Sequence, residues 1–240
     1  MTITSPHNER LKEIRKLARR RERERTGRFV AEGEDLLAAA EAAGWPAVER
    51  YVAAGSGLDG VEVEPELLAR VSALGSGTRA LAVYEERWAD AAAGPLCVAL
   101  HGIADPGNVG TILRSALAFG ASSVALGPGC ADPFGPRAVR ASMGAIFAVP
   151  VARFAGVEEL PGLRVALDAH EGEALRGGAA GEVSVLVGAE RAGLPADALA
   201  AADRVARIPI RGESLNAAMA ATVALYELTR AAGDHRMGPA

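Results

Sequence analysis

From about residue 96 onward, short apolar runs alternate with amphipathic stretches. The runs at 96–100, 123–126, 147–151, 164–169, 184–187 and 205–210 are dense in Val, Leu, Ile and Ala. Short continuous apolar runs bounded by Gly or Pro predict strands buried on both faces. The stretches at 111–119, 136–143, 195–200 and 214–231 predict connecting helices, with one short turn of helix at 158–160. Alternation of this kind predicts a parallel sheet covered on both sides.

The first half has a different rhythm. Leu11, Ile14, Leu17 and Ala18 recur at helical spacing and predict one helix over 8–25. Residues 28–33 read as a strand and turn. A second helix over 35–43 is stopped by Gly44 and Pro46. A strand at 48–53, a helix at 65–73 and a strand at 79–84 complete this part. The small residues of 89–95 read as a linker, which gives two α/β domains, 1–88 and 95–240. The two halves are expected to be separable.

Composition narrows the class. Half of the 240 residues are apolar, enough for a sizeable core. No run is long and apolar enough to predict a membrane span, and the polar N-terminus lacks an apolar signal core. Cys97 and Cys130 lack metal-ligand spacing and read as reduced thiols, so a cytoplasmic protein is expected. The net charge of −4 hides an asymmetry: residues 1–28 hold ten Lys and Arg against four Glu. That segment suits a phosphate backbone, with Arg10, Lys12, Arg15, Lys16 and Arg19 as the candidate grip. It equally suits a solvated helix laced with Glu–Lys pairs.

Candidate chemistry gathers where strands end and helices begin. Asp105-Pro106-Gly107-Asn108-Val109-Gly110 leads into a helix carrying Arg114. Asn108 is a possible helix cap, Gly110 admits a close neighbour or a ligand, and Arg114 offers a cationic fork. Gly188-Ala189-Glu190 ends a buried strand and frees backbone groups for bonding. Ile208-Pro209-Ile210-Arg211-Gly212-Glu213-Ser214-Leu215-Asn216 enters the last helix, with Ser214 as the expected cap and Asn216 in its first turn. Three polar junctions in one parallel sheet point to one site at the strand carboxyl ends. Neither a dinucleotide fingerprint nor a P-loop occurs. GxSxG is missing, and His101 and His170 have no evident partner, which leaves no serine hydrolase; His7 and His235 fall near the ends. The absence of HExxH and of any Cys/His cluster predicts no metal site.

Taken in order, Asp105 to Ala116, Leu186 to Leu194 and Ile208 to Ala220 resemble the three motifs of the SpoU/TrmH family, the SPOUT-class RNA 2′-O-ribose methyltransferases. The N-terminal half is similar, more loosely, to the L30e-like substrate-binding domain that often precedes them. The resemblance implies a C-terminal parallel-sheet domain with a deep trefoil knot, a homodimer, and S-adenosylmethionine as cofactor. It implies cofactor contacts at Leu167, Gly188, Ile208 and Leu215, with Asp168 close by. Arg114 matches the family's catalytic arginine. Asn108, Glu190, Ser214 and Asn216 match polar residues that shape the site or hold RNA. Ala189 stands where Asn is frequent and His101 where an acidic residue is frequent. The implied substrate is ribosomal RNA. The alternatives are transfer RNA, or a non-catalytic RNA-binding assembly factor on the same fold.

Overall fold

The computed structural model describes residues 2–75, 77–177, 181–212 and 214–233, the last three by backbone alone. Glu213 and His235 lie outside the described residues. Among the described residues, two sheets follow one another along the chain. The first half runs α1 (Glu9–Lys16), α2 (Arg20–Thr26), β1 (Arg28–Glu32), α3 (Glu34–Ala42), β2 (Glu49–Ala53), β3 (Val61–Val63), α4 (Pro65–Val71) and β4 (Ala80–Glu85). Its sheet has the order β1-β4-β2-β3.

The second half runs β5 (Leu96–Leu100), α5 (Pro106–Ala118), β6 (Ser123–Leu126), α6 (Pro136–Ser142), α7 (Ala145–Ala148), β7 (Val151–Arg153), a 3-10 turn (Val157–Glu159), β8 (Leu163–Leu167), β9 (Glu173–Ala174), β10 (Val183–Val187), α8 (Ala196–Ala201), β11 (Arg204–Arg207) and α9 (Ala217–Gly233). Seven strands pair in the order β7-β6-β5-β10-β8-β11-β9. Every pairing in this sheet is parallel, as the continuous apolar runs predict. The carboxyl ends of its strands therefore share one edge.

The expected helix over 8–25 is two helices. The chain turns at Leu17–Arg19, where Arg23 from α2 donates through Nη1 to the carbonyls of Leu17 (2.8 Å) and Ala18 (3.0 Å). The same guanidinium pairs with Asp132 at 2.6 Å. Arg23 is buried, so it belongs to the join between the halves and not to a basic face. The strand expected at 147–151 is also different. Ala145–Ala148 is helical, entered through Gly144 at φ 92°, and the strand begins only after Pro150. Phe147 points into the core, which a short helix achieves as well as a strand.

Helix starts shift too. Helix α5 begins at Pro106, five residues before the expected 111, because Asp105 caps it by accepting from the Asn108 N–H at 2.9 Å. Helix α9 begins at Ala217 and not at Ser214. Asn216 Oδ1 accepts from the backbone N–H of Ala218 (2.9 Å) and Met219 (3.3 Å), which makes Asn216 the cap.

The halves share one core. Phe29, Trp45 and Tyr84 from the first meet Phe134 and Phe147 from the second, with ring centres 4.9 Å apart for Phe29–Phe134 and 5.1 Å for Tyr84–Phe147. Arg140 adds a second tie, pairing with Asp35 at 2.5 Å. An aromatic core of this size across the join runs against separability.

Candidate active site

A cavity of about 490 Å³ opens at the carboxyl ends of β8, β10 and β11. Leu167 ends β8, Val187 ends β10, and Ile208 and Leu215 come from the segment leading to α9; all four line it. Gly188, Glu190 and Ser214 complete the wall with Asp168 and His170. The volume falls in the range of about 300–1,000 Å³ typical of small-molecule sites. The four positions expected to contact cofactor thus face one space.

Gly188 is glycine for a different reason from the one its position suggests. A Cβ there would lie 2.3 Å from the Gly193 carbonyl carbon and 2.4 Å from the Leu194 nitrogen. Small size lets the turn 189–193 fold back on the strand end. That turn closes on itself: the Ala189 N–H donates to Gly193 O (3.1 Å) and the Gly193 N–H to Ala189 O (2.8 Å). The Ala189 amide is accordingly engaged, contrary to the expectation of free backbone groups directly after Gly188. Gly110 likewise serves packing. A Cβ there would sit 2.3 Å from Ala138 O, so α5 and α6 touch at this residue.

Three polar side chains from the three junctions meet at Glu190, which lines the cavity. The Asn108 Nδ2 donates to Glu190 Oε1. The Asn216 Nδ2 donates to the same oxygen at 3.0 Å and to Asn108 Oδ1 at 3.2 Å. Residues 108, 190 and 216 are far apart in sequence and form one small network. Each is fixed by its element: Asn108 by the first turn of α5, Glu190 by the closed turn after β10, Asn216 by its capping bonds. Ser214 is exposed on the cavity wall.

Arg114 stands apart. It is exposed on α5, and its side chain makes no hydrogen bond or ion pair with any described residue. Six residues correspond to about 240° of helix rotation, so Arg114 and Asn108 leave α5 on different sides. It neighbours Leu117 one turn on. Leu117, Met219, Val223 and Tyr226 are large apolar side chains exposed on α5 and α9, between 40% and 62% accessible. The two helices are tied by a 2.7 Å hydrogen bond between the Ser115 and Thr222 hydroxyls.

Asp168 and His170 are cavity residues that motif reading underrates. Asp168 Oδ1 accepts from the backbone N–H of Glu171 and of His170, each at 2.8 Å. Those bonds hold its carboxyl below the usual carboxylate range, which keeps a negative charge at the wall. The signal available in sequence is positional: both follow a buried strand at its carboxyl end. The wall therefore pairs apolar side chains with the carboxylates of Asp168 and Glu190 and the guanidinium of Arg191, a lining suited to a flat heterocycle carrying polar groups.

The candidate RNA grip is partly self-neutralised. Lys12 pairs with Glu9 and Lys16 with Glu13, both at 2.6 Å, and Arg10 lies 3.7 Å from Glu49. Arg15, Arg19 and Arg21 are exposed and have no ion pair among the described residues. No described helix is long and apolar enough to cross a membrane. Among the described residues no group of three His, Cys, Asp or Glu is placed to hold a metal ion.

Fold and site together define an α/β protein with a cofactor-sized cavity at the edge of a parallel sheet. Residues 95–226 match the SpoU rRNA Methylase family and residues 8–90 match an MRM3-like substrate binding domain. The chain belongs to the SpoU rRNA methylase family. It is 40% identical over 205 residues to an uncharacterized tRNA/rRNA methyltransferase of Mycobacterium tuberculosis, covering 78% of this chain and 70% of that protein. It is 29% identical to the 23S rRNA (guanosine(2553)-2′-O)-methyltransferase RlmP of Bacillus subtilis, covering 94% and 98%. Among solved structures, the AdoMet-bound rRNA methyltransferase of Sinorhizobium meliloti superposes with a TM-score of 0.85 at 32% identity, covering 96% and 98%.

Proposed function

We propose that this protein transfers a methyl group from S-adenosylmethionine to a ribose 2′-hydroxyl of ribosomal RNA in the cytoplasm. The observation that carries this reading is the Asn108–Glu190–Asn216 network beside the cavity lined by Leu167, Gly188, Ile208 and Leu215. Family membership supplies the reaction class, and the named relatives supply the substrate class.

The bound cofactor supplies a methyl group already activated on a sulfonium. The chain's task is then placement and proton handling. Leu167, Val187, Ile208 and Leu215 keep water from the cavity. Asp168 offers its carboxylate to a cationic ligand. Glu190, oriented by two amides, holds the incoming ribose at the mouth, and Ser214 offers a further hydroxyl from the wall.

Arg114 enters through assembly. We place the subunit interface of a homodimer on the exposed strip of Leu117, Met219, Val223 and Tyr226. Arg114 borders that strip, so the dimer brings each guanidinium to the subunit boundary. A free guanidinium stays protonated, with a pKa above about 12. Its role is to orient the hydroxyl and stabilise the developing negative charge. Arg15 and Arg19, joined by Arg10, Lys12 and Lys16 when their pairs exchange for phosphate, grip the RNA. The strand order also supports a knot: β10 inserts between β5 and β8, and β11 between β8 and β9, so late strands enter gaps left by earlier ones.

The test is methyl transfer from labelled S-adenosylmethionine into unmodified ribosomal RNA, with sites mapped as 2′-O-methyl. Transfer is expected with the native chain and is lost with Arg114→Ala while cofactor affinity persists. A chain that binds S-adenosylmethionine yet labels no RNA, or labels a base in place of the ribose, would overturn the reading.

A further inference from the structure

A second cleft, of about 430 Å³, lies where the two halves meet, and the methylation chemistry makes no use of it. Arg20, Glu86, Trp88, Pro128, Asp132 and Arg153 are among its walls. It opens on the same sheet edge as the cofactor cavity. Arg153 pairs in register with Leu126, Leu126 with Leu100, and Leu100 with Val187, in a line straight across four strands. Three strand spacings make that line about 14 Å long. The loop 128–129 packs on Gly102 along the way, with the Gly102 N–H donating to Pro128 O at 2.9 Å.

The centre of the cleft is a preassembled stack. The Arg153 guanidinium carbon lies 4.1 Å from the centre of the Trp88 ring. Trp88 is itself fixed, its edge against Phe134 at 5.2 Å and its Nε1 donating to Glu86 Oε2 at 3.1 Å. The Arg153 side chain is exposed and forms no hydrogen bond or ion pair with any described residue. A planar cation with indole on one side leaves its other side for a second ring. Unpaired bases are held in this manner, on aromatic and guanidinium planes. The second oxygen of the half-buried Glu86 carboxylate has no hydrogen-bond partner among the described residues and suits an N–H on a base edge. Arg20, from the basic arm, stands at the rim.

We propose that this cleft takes an unpaired nucleobase of the RNA substrate, close in sequence to the methylated nucleotide, stacked on Arg153 with its edge toward Glu86. The proposal rests on the reading of the substrate as RNA and adds a base-holding subsite to it.

The chain has two tryptophans, Trp45 and Trp88, so indole N–H signals report the cleft directly. The full-length, isotope-labelled protein is titrated with a short mixed-sequence single-stranded RNA and with an abasic strand of equal length. The Trp88 signal, assigned with Trp88→Phe, is expected to shift saturably with RNA and to stay in place with the abasic strand. Arg153→Ala is expected to weaken RNA binding about tenfold. Arg153→Lys should weaken it similarly, because an ammonium keeps the charge and loses the plane. S-adenosylmethionine affinity by calorimetry should be unchanged in both, which separates a lost stack from a damaged fold. An unmoved Trp88, an equal shift with the abasic strand, or native affinity in Arg153→Lys overturns the subsite. Loss of methyl transfer with the Trp88 shift intact would count against the methylation reading and leave the subsite standing.

Discussion

Asn216 has two jobs on one side chain. Its oxygen caps α9 and its nitrogen bonds Asn108 and Glu190. Asn216→Ala removes both, and is expected to cost about 1 kcal/mol of stability and about a hundredfold in methyl transfer through misplacement. Asn216→Asp keeps a capping oxygen and turns a carboxylate toward Glu190. Thermal unfolding should recover in this variant while single-turnover transfer does not. Equal recovery of both would show that the network does not position the reaction. Asp203 gives a residue-scale test of pH dependence. It accepts from Arg164 Nε and Nη2, each at 2.8 Å, and from the Arg164 backbone N–H at 2.9 Å, which hold its carboxyl down to about 2. A depressed folded-state pKa stabilises above the unfolded value near 4 and is lost as pH falls toward 2. The melting-temperature gap between native chain and Asp203→Asn should therefore be present at neutral pH and close between about pH 4 and pH 2. A gap independent of pH would assign the contribution to packing.

At the scale of elements, the α5–α6 contact depends on one missing methyl group. Gly110→Ala places a Cβ 2.3 Å from Ala138 O and 2.6 Å from Ala141 Cβ, so the helices must part. Overpacking of this kind costs about 1–3 kcal/mol, and because Asn108 rides on α5 the cavity mouth should open with it. Chemical denaturation and cofactor calorimetry on the variant check both effects. The same elements show what a sequence discloses. Leu96–Leu100 and Ser123–Leu126 are legible because each apolar run is closed by a turn-forming residue and is buried on both faces. The three junctions are legible as motifs; Leu167, Gly188, Glu190, Ile208, Ser214 and Leu215 line one cavity, Asn108 and Asn216 bond to Glu190 beside it, and Arg114 lies elsewhere on α5. The break at Leu17–Arg19 is not legible, because its cause is Asp132, 109 residues from Arg23. The run at 145–149 is apolar throughout, and such a run has no period to tell helix from strand. Reading Ser214 as the cap of α9 fails because Asn216 offers an oxygen at the same turn with better placement. Arg114 is legible as a residue type, but its distance from Asn108 around α5 follows from helix geometry and an unpartnered surface strip that only the folded chain displays.

For the whole molecule, the decisive feature is the join between the halves. Arg23 and Asp132 are 5% and 12% accessible in their side chains and form an ion pair across it. Removing one partner strands the other, so Arg23→Ala is expected to lose about 3–5 kcal/mol in equilibrium unfolding, with a single transition because the aromatic core is common to both halves. A protein truncated to residues 95–240 would expose Phe134 and Phe147. It should aggregate or unfold well below the melting point of the full chain; a well-folded fragment with native cofactor affinity would show the join to be dispensable. The Arg23 side chain has one more consequence. It clamps the arm that carries Arg15, Arg19 and Arg20 onto the loop after β6, so arm and sheet edge turn as one body. On the proposed reading, RNA grasped by the arm is then held at a constant span from the cavity, and choosing a nucleotide becomes measurement by ruler, with Arg23 one of the ties that keep the ruler stiff.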